Sequence, residues 1–262
     1  MKILWNEATS GVPELDPLWQ ALEDYFPKVA RPGTDVTMRH LAVSANSVRS
    51  LYSELLNNRA VVELALQAEH EGFDAVVLGC WADPLWETRE VLSIPTVGIG
   101  EAAMLLATTL GYKFAVITVA PGVIPTIEQD LRLYGLEERA IHRPVRTLDP
   151  PSDLDLLVES VTDPYKRMIP NFERVARECI EDGAEVIVVG CGYYGPILTL
   201  HGYHEIPGTG VPVLDCSAAG LKLAETLVDL RASTHLQKSR ALYFRGPPAE
   251  TVEAIRRAHG LV

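Results

Sequence analysis

Cysteine is scarce in this chain. Four thiols in 262 residues are too few for a disulfide framework, which excludes a small stapled module. Basic residues are also in short supply, 23 Lys and Arg against 35 Asp and Glu, for a net charge of -12. That balance repels phosphate backbones and anionic membrane surfaces, so neither nucleic acid nor a membrane is an expected partner. No apolar run approaches the roughly 18 residues that span a bilayer, and no transmembrane segment is expected. The first six residues have the composition of a strand and lack the basic and apolar regions of a signal peptide, so the expected setting is the cytoplasm, with reduced thiols. His201 and His204 lie close together in sequence, yet no Cys, Asp or Glu stands at ligand spacing to them. The Gly-Thr-Gly at 208–210 and the Gly-Ile-Gly at 98–100 lack the full phosphate-cradling fingerprint and read as turns. Neither a metal nor a cofactor is expected.

What is present is the composition of an ordinary globular protein, 47% hydrophobic and 22% charged, long enough for one large domain or two small ones. Apolar runs of strand length occur at residues 3–5, 75–78, 96–98, 114–118, 186–189 and 211–214. Between them lie amphipathic stretches at 47–71, 101–110, 123–134, 164–181 and 218–230. Fully apolar strands alternating with helices predict mainly parallel sheets flanked by helices on both faces, the α/β class. Asn46 and Ser47 read as caps of the first long helix. Residues 142–155, rich in Pro and charge, read as a surface connection and not a core strand.

One internal likeness divides the chain. Residues 71–84, EGFDAVVLGCWADP, and residues 182–196, DGAEVIVVGCGYYGP, share a layout: an acidic residue and Gly, another acidic residue, an apolar strand, then Gly-Cys and a Pro. The first Gly is placed as a helix C′ residue and the Pro as an early helical or turn residue. Cys80 and Cys191 then lie at the C-terminal ends of buried strands, the edge where α/β sheets collect ligands. If the two halves face each other, so do the thiols. A thiol at a helix entrance has its thiolate favoured by free N–H groups and the helix dipole. Two such groups on opposite sides of a stereocentre suit a two-base reaction, one removing a proton and the other supplying one. Cys179 sits on an amphipathic helix and reads as core, whereas Cys216 is structural or pocket-adjacent.

At these segments the chain resembles the Asp/Glu/hydantoin racemase superfamily, most closely its hydantoin and allantoin racemase branch. The likeness is carried by residues 78–103, 111–136, the second cysteine segment and the closing GVPVLDCSAAGLKLAETLV, and it covers most of the chain. It implies two pseudo-symmetric lobes, each a mainly parallel sheet flanked by helices with the active site between them. Residues 1–98 plus 215–262 form the first lobe and 99–214 the second. It also implies Cys80 and Cys191 as the acid/base residues, and self-association into a homo-oligomer.

Relatives commonly carry Asn-Pro-Asn-Thr-Ser after the first strand, where this chain reads Asn6-Glu7-Ala8-Thr9-Ser10. Asn6, Thr9 and Ser10 keep their types and are candidate substrate-binding residues, against the alternative of a simple turn; Glu7 and Ala8 depart. Thr118 holds the pseudo-equivalent place in the second half. Asp83, counted with Thr118 and Tyr193 among the candidate substrate-binding residues, either caps the following helix, the reading its position favours, or restrains the Cys80 thiol. Tyr193 and Tyr194 replace the small residues usual after the second cysteine, closing the pocket over a ring or pointing into the lobe interface. Trp81 and Trp86 flank the first cysteine. This aromatic lining argues for a cyclic ureide or substituted acid over free aspartate or glutamate. The expected function is a cofactor-independent racemase or epimerase acting beside a carbonyl on a hydantoin, allantoin or related small molecule. The alternatives are a cis-trans isomerase or decarboxylase using one cysteine, and a non-catalytic small-molecule binding protein.

Overall fold

In the computed structural model, residues 1–10, 12–44 and 50–261 are described, and Asn46 and Ser47 lie outside them. The first sheet is all parallel. It is built from β1 (Lys2–Ser10), β2 (Asp35–Leu41), β3 (Ala75–Leu78) and β4 (Thr96–Gly98) in the order β2-β1-β3-β4. The second contains β5 (Phe114–Thr118), β6 (Ala140–Thr147), β7 (Val186–Gly190), β8 (Glu205–Ile206) and β9 (Val211–Asp215). Its order is β6-β5-β7-β9-β8, parallel except for β8. The helices are α1 (Asp16–Val29), α2 (Leu51–His70), α3 (Leu85–Val91), α4 (Ile99–Leu110), α5 (Ile124–Leu133), α6 (Leu154–Thr162), α7 (Met168–Glu181), α8 (Tyr194–Leu200), α9 (Cys216–Thr234) and α10 (Ala249–Ala258). Among the described residues no helix is long and apolar enough to cross a membrane.

The repeated layout acquires a physical meaning. Gly72 and Gly183, at φ of +83° and +95°, end α2 and α7 in the same way: Phe73 N–H bonds the Ala68 carbonyl at 3.1 Å, and Ala184 N–H bonds that of Cys179 at 2.9 Å. This is the Schellman closure, and the left-handed backbone is why both positions are Gly. The next acidic residue sets strand register. Asp74 accepts from Lys2 N–H and Glu185 from Tyr112 N–H, each at 2.7 Å, at the starts of the neighbouring strands. Ile3 then pairs with Ala75 and Phe114 with Val186, so both cysteines emerge at equivalent strand ends.

Alternating side chains on these strands feed three apolar clusters. Ile3, Trp5 and Val77 join Val116 and Val188 with α4 and α9 in a central core shared by the two sheets. Leu4, Val76 and Leu78 pack outward with α2 residues Val61 and Ala65. Ala115, Ile187 and Val189 pack outward with α7 residues Phe172 and Val175. α9 follows β9 yet also packs on β3 and β4 of the first sheet, which ties the two sheets together from the C-terminal side.

Four segments depart from the sequence reading. Residues 142–147 are not a connection but part of β6, an edge strand. It accommodates Pro144 because its outer side needs no ladder bonds, and it absorbs Arg143 at φ 54° through a register shift. β2 is the other half-buried edge. α1 carries Pro17 in its first turn and Pro27 in its last, which conceals its buried stripe of Leu18, Leu22, Tyr25 and Phe26. The segment at 98–100 is also no turn: α4 starts directly after β4.

Candidate active site

The C-terminal ends of β1, β3, β5 and β7 open on one cavity of about 440 Å³. Cys80 and Cys191, both half-buried, line it together with Glu7, Thr9, Trp81, Thr118 and Tyr193. The two cysteine loops meet at backbone level: a Cβ added to Gly192 would stand 2.2 Å from the Gly79 carbonyl oxygen. Leu15, Val119, Val123, Ile127, Leu154 and Leu157 give the cavity an apolar wall. Among the described residues that line it, there is no Lys, Arg or His. Among the described residues no group of His, Cys, Asp and Glu is arranged to hold a metal ion.

Each thiol is fixed through its own backbone. Cys80 N–H donates to Asp83 Oδ2 at 2.9 Å. The Cys191 carbonyl accepts from Gly195 N–H at 3.2 Å and from Cys216 Sγ at 3.5 Å, and Ser217 Oγ reaches the Gly192 carbonyl at 3.0 Å. Asp215 caps α9 through Ser217 and Ala218 N–H and accepts Tyr25 and Thr199 hydroxyls at 2.7 Å. Cys216 is therefore pocket-adjacent, behind Cys191, while Cys179 is fully buried core. The expectation of a dipole-favoured thiolate fails for Cys80. α3 begins only at Leu85, and burial, with the Asp83 and Glu7 carboxyls nearby, pushes this thiol well above its ordinary range.

Several predicted residues take other roles. Asn6 does not line the cavity: it is buried on the opposite face of β1 and donates to the Val61 carbonyl at 2.8 Å. Ser10 also lies outside the lining, its N–H bonded to Ser44 Oγ at 2.8 Å. Asp83 is no helix cap, since α3 has no side-chain cap and the carboxylate folds back to Cys80 instead. It too is absent from the cavity wall. Tyr194 turns into the core, its hydroxyl 2.6 Å from Ser152 Oγ. Trp86 turns away to stack edge-on with Tyr243 and Phe244. Thr9 and Tyr193 do face the cavity and bond each other at 3.2 Å. Thr118 lines it while donating to the Gly190 carbonyl at 3.0 Å. Trp81 is held over Gly100, where a Cβ would sit 2.6 Å from its ring, and its indole N–H donates to Asp130 at 3.1 Å.

The residue missed from sequence is Glu7. It is 4% exposed, and burial pushes its carboxyl up to about 7, opposed by hydrogen bonds from Tyr193 and Thr9. Burial likewise lifts Asp130 to about 6. The signal was in the repeat. With Ile3 aligned on Phe114, Glu7 falls on Thr118 and Asn6 on Ile117, which is buried outside the cavity.

A raised carboxyl pKa means that ionisation costs the folded state more than the unfolded chain. The penalty is absent below the unfolded value near 4.5 and complete above about 7. Thermal unfolding midpoints are therefore expected to fall between pH 5 and pH 8. Glu7→Gln should recover on the order of 3 kcal/mol at pH 8 and less than about 1 kcal/mol at pH 5. An equal effect at both pH values in thermal melts would show that Glu7 is not held protonated.

Comparison with known proteins agrees with this architecture. The sequence model of the Asp/Glu/Hydantoin racemase family matches residues 18–224. A hydantoin racemase of Pseudomonas sp. strain NS671 is 32% identical over 229 residues, 84% of each chain. One from Rhizobium meliloti is 37% identical over 210 residues, 80% of this chain and 82% of its own. The solved allantoin racemase from Klebsiella pneumoniae superposes with a TM-score of 0.79 at 24% identity, covering 94% of both chains, a likeness of fold. This chain belongs to the Asp/Glu/hydantoin racemase family, in its hydantoin and allantoin racemase branch, and is an isomerase of the racemase type.

Proposed function

We propose that this protein racemises 5-substituted hydantoins or closely related cyclic ureides without a cofactor, with Cys80 and Cys191 as the acid/base pair. The observation that carries the proposal is that both thiols, from equivalent strand ends, line one cavity whose loops touch at Gly79 and Gly192. The ring lies between the sulfurs. One sulfur, as thiolate, takes the hydrogen from the carbon beside the carbonyl; the other, as thiol, gives its proton to the opposite face of that carbon. For the other enantiomer the roles exchange. The carbon acid of a hydantoin is much stronger than the α-hydrogen of an amino-acid carboxylate, so a thiolate suffices where no electron sink is supplied.

The lining supports the substrate class. A free aspartate or glutamate carboxylate would meet the Glu7 and Asp153 carboxyls with no Lys, Arg or His among the described lining residues, whereas an uncharged ring with an apolar substituent meets Leu15, Val119, Val123, Ile127 and Leu157. A cytoplasmic, self-associating enzyme that takes a small molecule as its only partner belongs to the same proposal.

The test is a panel of chiral hydantoins, allantoin and free amino acids followed by polarimetry. Hydantoins with an apolar 5-substituent are expected to exceed glutamate and aspartate by at least about 100-fold in kcat/KM. Preferred turnover of a free dicarboxylic amino acid, or release of carbon dioxide from a malonate with one cysteine dispensable, would overturn the proposal.

A further inference from the structure

Two strands present one side chain each beside the cysteines, and the two differ in kind. Thr118 is the position on β5 opposite Gly190, and Glu7 is its counterpart on β1, next to Gly79. Glu7 lines the cavity and is almost fully buried. Its Oε1 lies 3.5 Å from Thr9 Oγ1, which lies 3.2 Å from the Tyr193 hydroxyl. The polar side chains around this carboxyl therefore hold its place in the wall.

Among the described residues, the groups that face Glu7 are acidic or neutral. From the loop after β3 come the Cys80 thiol and the Asp83 carboxyl, both within electrostatic range. From the start of α8 comes the Tyr193 phenol, and from β1 itself Thr9 and Trp5. No Lys, Arg or His among the described lining residues offsets them. Loss of the proton beside a carbonyl puts negative charge on the carbonyl oxygen. An ionised carboxylate in this wall would oppose that charge, whereas a protonated one can donate to it.

We infer that Glu7 acts as a carboxylic acid that donates a hydrogen bond to the ring carbonyl oxygen beside the stereocentre, stabilising the enolate as a cysteine removes the proton. The inference rests on the cavity being the racemisation site. Glu7 keeps its proton throughout. The hydrogen leaving carbon goes to one sulfur, the hydrogen arriving comes from the other, and Glu7 only strengthens an existing hydrogen bond as charge develops. Burial keeps the acid form populated up to about pH 7. Above that, ionisation removes the donor and adds repulsion toward Cys80 and the enolate.

The test is the pH profile of kcat/KM for racemisation of an apolar 5-substituted hydantoin by the full chain and two variants. Because the base is a thiolate, rates rise with pH as a thiol ionises, and loss of the Glu7 proton is expected to level that rise in wild type above about pH 7. Glu7→Gln, a donor that does not ionise, should stay within about 10-fold of wild type at pH 6.5 and keep the thiolate-dependent rise above pH 7, so that the ratio of wild type to variant falls with a single ionisation. Glu7→Leu should drop kcat by on the order of 100-fold with KM changed only a few-fold. Carbon-13 NMR of glutamate-labelled wild type supplies a readout independent of turnover and of whether Glu7→Leu folds: one carboxyl carbon, missing in Glu7→Gln, should titrate near 7. Titration of that carbon below 5.5, a ratio of wild type to Glu7→Gln that does not change with pH, or kcat retained in Glu7→Leu would overturn this inference alone, leaving the cysteine pair standing. Absence of any hydantoin racemisation by wild type, with the carbon titrating near 7, would sink the cyclic-ureide reading and this inference with it.

Discussion

Cys191→Ser, and separately Cys80→Ser, is expected to slow racemisation in both directions by at least about 10³-fold, with ligand binding largely kept. A positioned acid or base contributes about 10²–10⁴-fold, and in a two-base reaction each enantiomer needs both groups, one as acceptor and one as donor. Serine keeps the volume and a hydroxyl but forms its anion far less readily. Loss in only one variant is what a one-cysteine decarboxylase or isomerase would give. Steady-state rates from each pure enantiomer check the expectation, and equal damage in both directions for both variants is the pattern that separates the mechanisms.

The second large effect is expected at a residue with no reactive group. In Gly192→Ala the added methyl would stand 2.2 Å from the Gly79 carbonyl oxygen and 3.3 Å from Ile99. The first obstacle is backbone, so no rotamer relieves it, and the two cysteine loops must separate by about 1 Å, a displacement that costs on the order of 100-fold when reacting groups are aligned. Stability should fall by about 2–3 kcal/mol as well. Gly72→Ala is the matched control. It has open space around it but φ of +83°, so it should cost about 1 kcal/mol of stability and leave kcat unchanged. Thermal melts and kcat measured on both variants separate a loop-spacing effect from a general loss of fold.

Much of this arrangement was legible because the central strands are buried on both faces and read as unbroken apolar runs. The same burial made the two Gly-Cys ends recognisable, and the Schellman glycines marked where each helix stopped. The edges were harder. β2 and β6 are buried on one side only, and β6 contains Pro144 and Arg143, residues that an interior strand would not tolerate. α1 was hidden by two prolines, one in its first turn and one in its last.

Within the site, the difficulty was a single step of register. Side chains on a strand alternate, so neighbouring positions face opposite ways. Asn6 keeps the residue type seen in relatives but faces α2, whereas Glu7, which departs from them, faces the cavity. Likeness of residue type favoured the wrong neighbour, and pairing the two halves strand against strand selects the right one. Asp83 shows a related limit. Its position suggested a cap, but the chain runs on through Pro84 before α3 starts, and the carboxylate turns back to Cys80 N–H.

The central claim is that two sulfurs work from opposite faces of one carbon, and isotope transfer during turnover in deuterium oxide tests it most directly. Starting from either pure enantiomer of a 5-substituted hydantoin, early product of inverted configuration should carry solvent deuterium while unreacted substrate still carries its original hydrogen, because the accepting and donating sulfurs are different atoms. Inverted product that retains the original hydrogen would mean that a single group removes and returns the same proton, and would contradict the account.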